Sequence, residues 1–314
     1  MSNLKGFLYG IATSVTFGLI PLFTLPLMAK GMKFDSILFY RFLFAALALT
    51  GMMLFRKESF RIEKKEGLML TVLGFFYTGS AMFLFWGYSF MAAGIATTLH
   101  FTYPVFVTLL MGIFFREKTS WITLLAIGLA ICGVARLSLG DGEIRLSATG
   151  VGIVLLSAVA YALYIVTVNK SSVRQMAGRK LTLYVFIVST VLFFIKIQIG
   201  GALQPIPDTA SFINLLLLAL VPTVVSNITL VHAVHHIGST LTAVLGAMEP
   251  VTAVTVGVLL FGERFTPHLA LGVFLIIVAV TMIILSKYIR KSLQEIRRFI
   301  SVRSFLRARR QHKG

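Results

Sequence analysis

Acidic residues and cysteine are scarce in this sequence. It contains 11 Asp and Glu residues against 29 Lys and Arg, and its one cysteine is Cys132. A single cysteine excludes an intrachain disulfide and any metal site built from several thiolates. Charged residues make up only 13% of the chain, whereas an ordinary soluble domain has roughly 25%. The composition therefore excludes an ordinary soluble protein.

Long polar stretches are missing as well, and apolar runs take their place. The chain is 57% hydrophobic, with a mean hydropathy of +0.91. About 20 apolar residues in a helix cross a hydrocarbon core of about 30 Å. Helices are predicted because unpaired backbone groups cannot face lipid and the runs lack the alternation of barrel strands. The ten predicted spans are 6–28, 36–55, 67–88, 93–115, 120–138, 148–168, 181–199, 211–232, 238–261 and 267–287.

The positive charge has a one-sided distribution. If the N-terminus is cytoplasmic and the loops alternate, 22 Lys and Arg residues fall inside and five outside. Such an excess is the positive-inside bias of membrane proteins. We therefore expect a multi-pass protein of a cell membrane, the inner membrane in a bacterium, with both termini cytoplasmic. The net charge of +18 therefore reflects the orientation of the loops in the membrane. It does not indicate nucleic-acid binding, because no loop is large enough to form a binding face.

The two halves of the sequence repeat each other. The coinciding pairs are Pro104 and Pro250, Glu117 and Glu263, and Ser80 and Ser226 at a shift of 146, and Tyr40 and Tyr184, and Phe42 and Phe186 at a shift of 144. Each half holds five spans, and because five is odd the second half enters the membrane from the opposite side. We predict an all-α integral membrane protein with ten transmembrane helices in two inverted five-helix repeats, residues 1–142 and 143–287. Inverted repeats are typical of secondary transporters.

The C-terminal tail, residues 288–314, has a different character. Its apolar residues Ile289, Leu293, Ile296 and Ile300 share one helical face among basic residues. A basic amphipathic helix lies on an anionic membrane surface. We expect this tail to be cytoplasmic and to contact anionic lipids of the inner leaflet.

Two segments carry a family resemblance. They are "GIATTLHFTYPVFVTLLMGIFFREKTSWITLLAIGLAICGV" and "GSTLTAVLGAMEPVTAVTVGVLLFGERFTPHLALGVFLIIVAV". Each resembles a copy of the EamA domain of the drug/metabolite transporter superfamily, with Pro in the fourth helix and Glu at its end. The overall layout is similar to that of the YddG-like amino-acid exporters. The resemblance implies ten helices, cytoplasmic termini, a central cavity and the export of small metabolites such as amino acids.

The paired prolines predict a break in each fourth helix. Pro104 and Pro250 lack an N–H and lie near the middle of their spans, so both helices should kink and carry gates, with Gly246 allowing close contact. The residues before them are Tyr103 and Glu249. A carboxylate inside a span is costly unless it faces protein or water. Glu249 either lines a cavity, where it holds an ammonium group or exchanges a proton, or stays protonated in a structural role.

Other polar residues fall at positions that would face a central cavity. They could clamp an amphipathic solute, although small and hydroxyl residues also pack membrane helices together and Tyr also marks interfaces. With Glu249 and Tyr103, the candidates for substrate binding or coupling are His100, Tyr77, Ser80, Tyr161, Tyr164, Ser226, Asn227, Thr242 and Arg41. Arg41 is expected to snorkel to the outer surface, and the alternative is that it binds the carboxylate of an amino acid.

Three classes of function fit a polytopic protein, and a secondary transporter fits the inverted repeat best. An exporter of organic cations, drugs or another metabolite by proton antiport is the alternative within that class. A channel would show a filter motif or a polar ring. An enzyme would need a converging set of catalytic groups. No phosphate-binding loop appears, and no carboxylate or cysteine completes a metal site with the histidines at 232–236, so neither a cofactor nor a metal is expected.

Overall fold

The computed structural model describes residues 2–116, 121–139, 147–246 and 248–286. All of its regular structure in these residues is helical. The helices are α1 Ser2–Gly18, α2 Ile20–Ala29, α3 Phe34–Phe55, α4 Lys64–Gly87, α5 Ala93–His100, α6 Tyr103–Phe115, α7 Trp121–Leu139, α8 Ala148–Lys170, α9 Gly178–Gly200, α10 Thr209–Ala219, α11 Ser226–Leu245, α12 Met248–Phe261 and α13 Pro267–Ser286. A π-helix, Leu220–Val225, joins α10 to α11.

The helices account for ten membrane spans. Within the described ranges, eight helical segments are long and apolar enough to cross a membrane, and two shorter apolar helices, Trp121–Arg136 and Met248–Phe261, supply the rest. Many large apolar side chains point outward, such as Phe55 and Ile199, which are 90% and 84% exposed. Exposed apolar surface of this extent suits a lipid surrounding. The all-helical architecture is the one predicted from the sequence.

The loop predicted between the eighth and ninth spans is helical in the structure. The sequence predicts a turn at 233–237, whereas α11 is helical through these residues. The chain still reverses, because successive residues contact α1 first in descending and then in ascending order. These contacts are Thr229 with Thr13, Ile237 with Gly6, Leu245 with Gly10 and Thr252 with Gly18.

Reciprocal contacts relate the two repeats. Tyr40 donates its hydroxyl to the carbonyl of Gln204 at 2.9 Å, and Tyr184 donates its hydroxyl to the carbonyl of Phe60. Tyr40 and Phe60 become Tyr184 and Gln204 when 144 is added to their numbers. At the same shift the two rings of the pair Phe42 and Phe186 meet each other at 5.6 Å between centroids. Reciprocal contacts of this kind are expected when a two-fold axis relates the two repeats. The pair of helices α3 and α9 lies at that axis.

The boundaries predicted at 142 and 143 and the basic tail 288–314 lie outside the described residues. The same holds for Glu117, the first-repeat partner of Glu263.

Candidate functional site

A cavity of about 420 Å³ lies among helices of both repeats. Helices α1 to α6 of the first repeat and α8, α11 and α12 of the second supply its walls. The residues predicted from the sequence that line it are Arg41, Tyr77, Ser80, His100, Tyr103, Tyr161, Tyr164, Asn227, Thr242, Gly246 and Glu249. Residues far apart in the sequence therefore meet in one cavity. Ser226 is fully buried instead, and donates its hydroxyl to the Pro222 carbonyl at 2.8 Å.

Two helix breaks position part of the cavity wall. Two residues separate α5 from α6, and Pro104 is the second residue of α6. Two residues likewise separate α11 from α12, and Pro250 lies in the first turn of α12. A first turn tolerates proline because its N–H groups have no helical partner. At the second break the carbonyl of Gly246 accepts the N–H of Glu249 at 3.0 Å, so the carbonyl that Pro250 cannot pair is satisfied.

Arg41 is a buried cation in the cavity wall, so the expectation that it snorkels to the surface is wrong. Its side chain is 4% exposed, and Nε donates to the Thr223 hydroxyl at 2.9 Å. The guanidinium carbon lies 5.6 Å from the ring centroids of Phe42 and Phe85. These contacts hold the stem inside the bundle. The terminal nitrogens have no acceptor among the described residues, so their donors are available to a solute.

The π-helix explains how Arg41 is held. Thr223 lies in that turn, is fully buried, and donates its hydroxyl hydrogen to the carbonyl of Leu218 at 2.9 Å. A hydroxyl has one hydrogen, so its oxygen can only accept from Arg41. Pro222 leaves the turn without one N–H, and π-turns of this kind are frequent at functional sites. The sequence analysis named Arg41 but did not predict that Thr223 is its hydrogen-bond partner.

Four tyrosines form the aromatic part of the wall, with Tyr161 at their centre. Its ring centroid lies 4.8 Å from that of Tyr103, 5.8 Å from that of Tyr164 and 6.3 Å from that of Tyr77. His100 joins the cluster at 5.5 Å from Tyr161. None of the four hydroxyls has a hydrogen-bond partner among the described residues. The cluster therefore offers apolar ring surface together with free hydroxyl groups.

Glu249 contributes a carboxyl group to the cavity. It is the second residue of α12, where the positive end of the helix dipole favours a carboxylate. It is partly exposed and lines the cavity. Neither Glu249 nor Arg41 forms an ion pair within the described part of the chain. Arg41 and Glu249 thus share one cavity, and neither has a charged partner among the residues that the structure describes.

His100 is held by a serine that the sequence analysis missed. Its Nδ1 lies 2.9 Å from the hydroxyl of Ser157, and that hydroxyl donates to the carbonyl of Ser80 at 2.7 Å. Ser157 is fully buried in α8. It lies four residues before Tyr161, on the same helical face, and that spacing was the available signal.

A contact between the two repeats joins the end of α12 to the beginning of α5. The Glu263 carboxylate, just beyond α12, accepts the backbone N–H groups of Ala93 and Gly94 at 2.8 and 3.4 Å. These are the first residues of α5, whose dipole favours an anion. Gly94 and Gly257 make room for this carboxylate, because a Cβ on either would meet it. The described residues contain no cluster of His, Cys, Asp or Glu fit to hold a metal.

The two halves of the chain each match a known protein family. Residues 4–139 and 148–285 both match the EamA-like transporter family. The chain belongs to that family. The EamA-like family is one of transporters and not of enzymes, and this chain is a multi-pass membrane protein of that family.

Similar proteins include transporters of several bacteria. A Synechocystis protein named an uncharacterized transporter is 30% identical over 62% of this chain and 60% of its own length. A Streptantibioticus cattleyicolor protein named a probable terminal-alkyne amino-acid exporter is 28% identical over 63% of this chain and 66% of its own. The uncharacterized inner membrane transporter YedA of Escherichia coli is 25% identical over 84% of this chain and 83% of its own. The chain thus spans about three fifths of the first relative and about two thirds of the second.

One solved crystal structure shares the fold of this EamA-like transporter. The two superpose with a TM-score of 0.65 over 89% of this chain and 96% of the other, at 15% identity. A likeness at that identity concerns the fold alone.

Proposed function

We propose that this EamA-like transporter is a secondary active exporter of small zwitterionic metabolites such as amino acids. The observation that carries the proposal is that a guanidinium, Arg41, and a carboxyl group, Glu249, line one cavity and form no ion pair within the described residues. An amino acid brings a carboxylate for Arg41 and an ammonium group for Glu249. Arg binds carboxylates through a planar fork of donors, and the terminal nitrogens of Arg41 have no acceptor within the described part of the chain.

The remaining wall suits the side chain of such a solute. Tyr161 and its ring neighbours are joined by apolar residues such as Leu84, Phe85 and Ile165. Apolar walls with a few fixed polar groups are typical of small-molecule sites. The printed name of the Streptantibioticus cattleyicolor relative, a probable amino-acid exporter, supports the same substrate class. An amphipathic amino acid with an apolar side chain fits this combination.

The mechanism that we propose is alternating access. The two repeats rock about the cavity, and the helix breaks at Pro104, Gly246 and Pro250 act as the gates. By the positive-inside bias, the N-terminus and the basic tail are cytoplasmic. The relative YedA is named an inner membrane transporter, which supports a bacterial inner membrane as the location. The tail then contacts the anionic inner leaflet.

An exporter of organic cations by proton antiport is the second candidate. The tyrosine cluster favours it, because aromatic faces attract cations, and Glu249 could exchange a proton. Arg41 argues against it, since a buried guanidinium in the same cavity repels a solute that carries only positive charge. A channel is the third candidate, and it would show neither saturation nor counterflow.

Counterflow in proteoliposomes tests the proposal. Vesicles are loaded with leucine, methionine or phenylalanine, with the amine that lacks the carboxylate, or with the acid that lacks the amine. We expect exchange for the zwitterions alone. Arg41→Met and Glu249→Gln should each reduce exchange by about tenfold or more, because each variant loses a hydrogen bond to a charged group of the solute. Arg136→Met and Glu66→Gln are the matched controls outside the cavity and should exchange at the wild-type rate.

Other outcomes would favour the competing functions. If the amines exchanged as well as the amino acids and Arg41→Met increased their uptake, the protein would be a cation exporter. Flux that neither saturates nor supports counterflow would identify a channel.

A further inference from the structure

The histidine of the cavity belongs to a buried chain of three hydrogen-bonding groups. His100 is 8% exposed, Ser157 is fully buried and Ser80 is 4% exposed. The Ser157 hydroxyl lies 2.7 Å from the carbonyl oxygen of Ser80 and 2.9 Å from Nδ1 of His100. These three groups come from α5, α8 and α4, so the packing of three helices fixes their geometry.

The position of each hydrogen in this chain follows from the two distances. The Ser157 hydroxyl has one hydrogen. Two oxygens that approach within 2.7 Å repel each other unless a hydrogen lies between them, and a carbonyl supplies none. The hydroxyl therefore donates to Ser80, and the hydrogen between the hydroxyl oxygen and His100 must come from Nδ1. A neutral imidazole carries one N–H, so Nε2 is left as an acceptor.

We propose that Ser157 holds His100 as the Nδ1–H tautomer, so that Nε2 accepts a hydrogen bond from an N–H of the solute's ammonium group. His100 lines the same cavity as Glu249. The rings of Tyr103 and Tyr161, which line this cavity as well, lie 5.9 and 5.5 Å from the ring of His100 between centroids. Nε2 and the carboxylate thus bind one ammonium group together. This inference rests on the proposed function and adds a chemical requirement to it.

The requirement is that the ammonium group carries N–H donors. A primary ammonium has three and can satisfy Glu249 and His100 together. A quaternary ammonium has the same charge but no N–H, so it leaves Nε2 unpaired in a buried wall, and an unpaired buried acceptor is unfavourable. The site therefore selects amino acids over their N,N,N-trimethyl derivatives. Ser157 is a positioning residue in this selection, since it acts through His100.

The tautomer can be measured on the wild-type protein. The transporter is prepared with ¹⁵N-labelled histidine in lipid, and the His100 signals are identified by their loss in His100→Gln. We expect a protonated Nδ1 and an unprotonated Nε2. The reverse assignment would overturn the proposal, whatever the transport activity.

Selectivity is measured by counterflow of phenylalanine, its N,N,N-trimethyl derivative and α-methylphenylalanine. We expect phenylalanine to have a half-saturation concentration lower than that of the trimethyl derivative by about tenfold or more, as for a hydrogen bond to a charged group. The α-methyl compound adds bulk beside the nitrogen but keeps every N–H, so it should resemble phenylalanine. Equal exchange of phenylalanine and the trimethyl derivative would contradict the proposal.

A matched pair of serine variants tests the positioning role. Ser157→Ala should lower the preference for phenylalanine and yield a mixture of His100 tautomers. Ser189→Ala removes another fully buried serine, which bonds to Thr78 at 2.9 Å and lies outside the cavity wall, and it should retain both properties. If Ser157→Ala does not fold, the wild-type tautomer and the wild-type selectivity still decide the matter.

These outcomes are separable from the proposed function. Without exchange of any amino acid, the proposed function fails together with the role assigned to Nε2. Exchange of amino acids without preference over the trimethyl derivatives leaves the proposed function standing and rejects this inference.

Discussion

Arg41 owes its position to one hydrogen bond and two aromatic rings. Nε is bound to Thr223, while Phe42 and Phe85 flank the guanidinium at 5.6 Å. A cation inside a membrane protein is expensive unless it is solvated or paired. The residue is therefore held in place by neutral groups while its charge is left for the cavity. At the residue scale, the orientation of this charge depends on Thr223.

Thr223→Val tests that dependence. Valine keeps the shape of threonine but removes the acceptor for Nε, and a hydrogen bond to a charged group contributes about 1.5–3 kcal/mol. We expect the half-saturation concentration for amino acids to rise by roughly tenfold. Thr50→Val is the control, because it removes a hydroxyl bonded within a helix, to Ala46, away from the cavity. Equal effects of the two variants would show that Thr223 does not orient Arg41.

At the scale of the helices, close packing depends on glycine at particular positions. Gly74 of α4 lies directly against Val188 of α9, and a Cβ at Gly74 would overlap that side chain. Membrane helices associate through small residues because lipid supplies little hydrophobic drive between them. In the same helix, a Cβ at Gly79 would meet only Phe83, at 3.9 Å. Gly74 is therefore needed for close packing, whereas Gly79 has room for a side chain.

Alanine at these two positions should act in opposite directions. Gly74→Ala overpacks the α4–α9 contact, and overpacking typically destabilises by about 1–3 kcal/mol. Gly79→Ala is accommodated and gains up to about 1 kcal/mol of helix propensity. Thermal unfolding in detergent measures both variants. Equal stability of the two variants would mean that the contact of Gly74 with Val188 has room for a methyl group.

At the scale of the whole molecule, the two repeats are joined at one end by Glu263. Its carboxylate caps α5 of the other repeat through Ala93 and Gly94. The 146-residue shift that relates the repeats maps Glu263 onto Glu117. If access alternates, each glutamate would close one end of the cavity in turn.

Cysteine accessibility tests this alternation. Ala81→Cys, in a Cys132→Ser background, places one thiol in the cavity wall. Glu263→Gln weakens the cap on the N-terminus of α5, so the thiol should react faster with an impermeant reagent added to the side of the membrane where α5 begins. Glu117→Gln should instead increase its reaction from the opposite side. Glu66→Gln is the control, since glutamine still forms a capping box. Unchanged sidedness in both variants would contradict alternating closure by these residues.

The sequence by itself determined the ten apolar spans, the two repeats and most of the cavity candidates. These follow from apolar length and from matching positions, such as Pro104 and Pro250, which are local properties of the chain. The helical residues at 233–237 were not predicted, because two apolar spans on either side of them require a reversal that is usually made by a loop.

Only the tertiary structure decided which partners the polar residues have. Arg41 lies near the end of its predicted span, so the sequence alone did not determine whether its side chain reaches the membrane surface or the interior of the bundle. The contacts of Arg41 with Thr223 and of His100 with Ser157 form only where α3 packs against the π-helix and α5 against α8. A buried polar group takes its role from the partner that satisfies it, and that partner belongs to another helix.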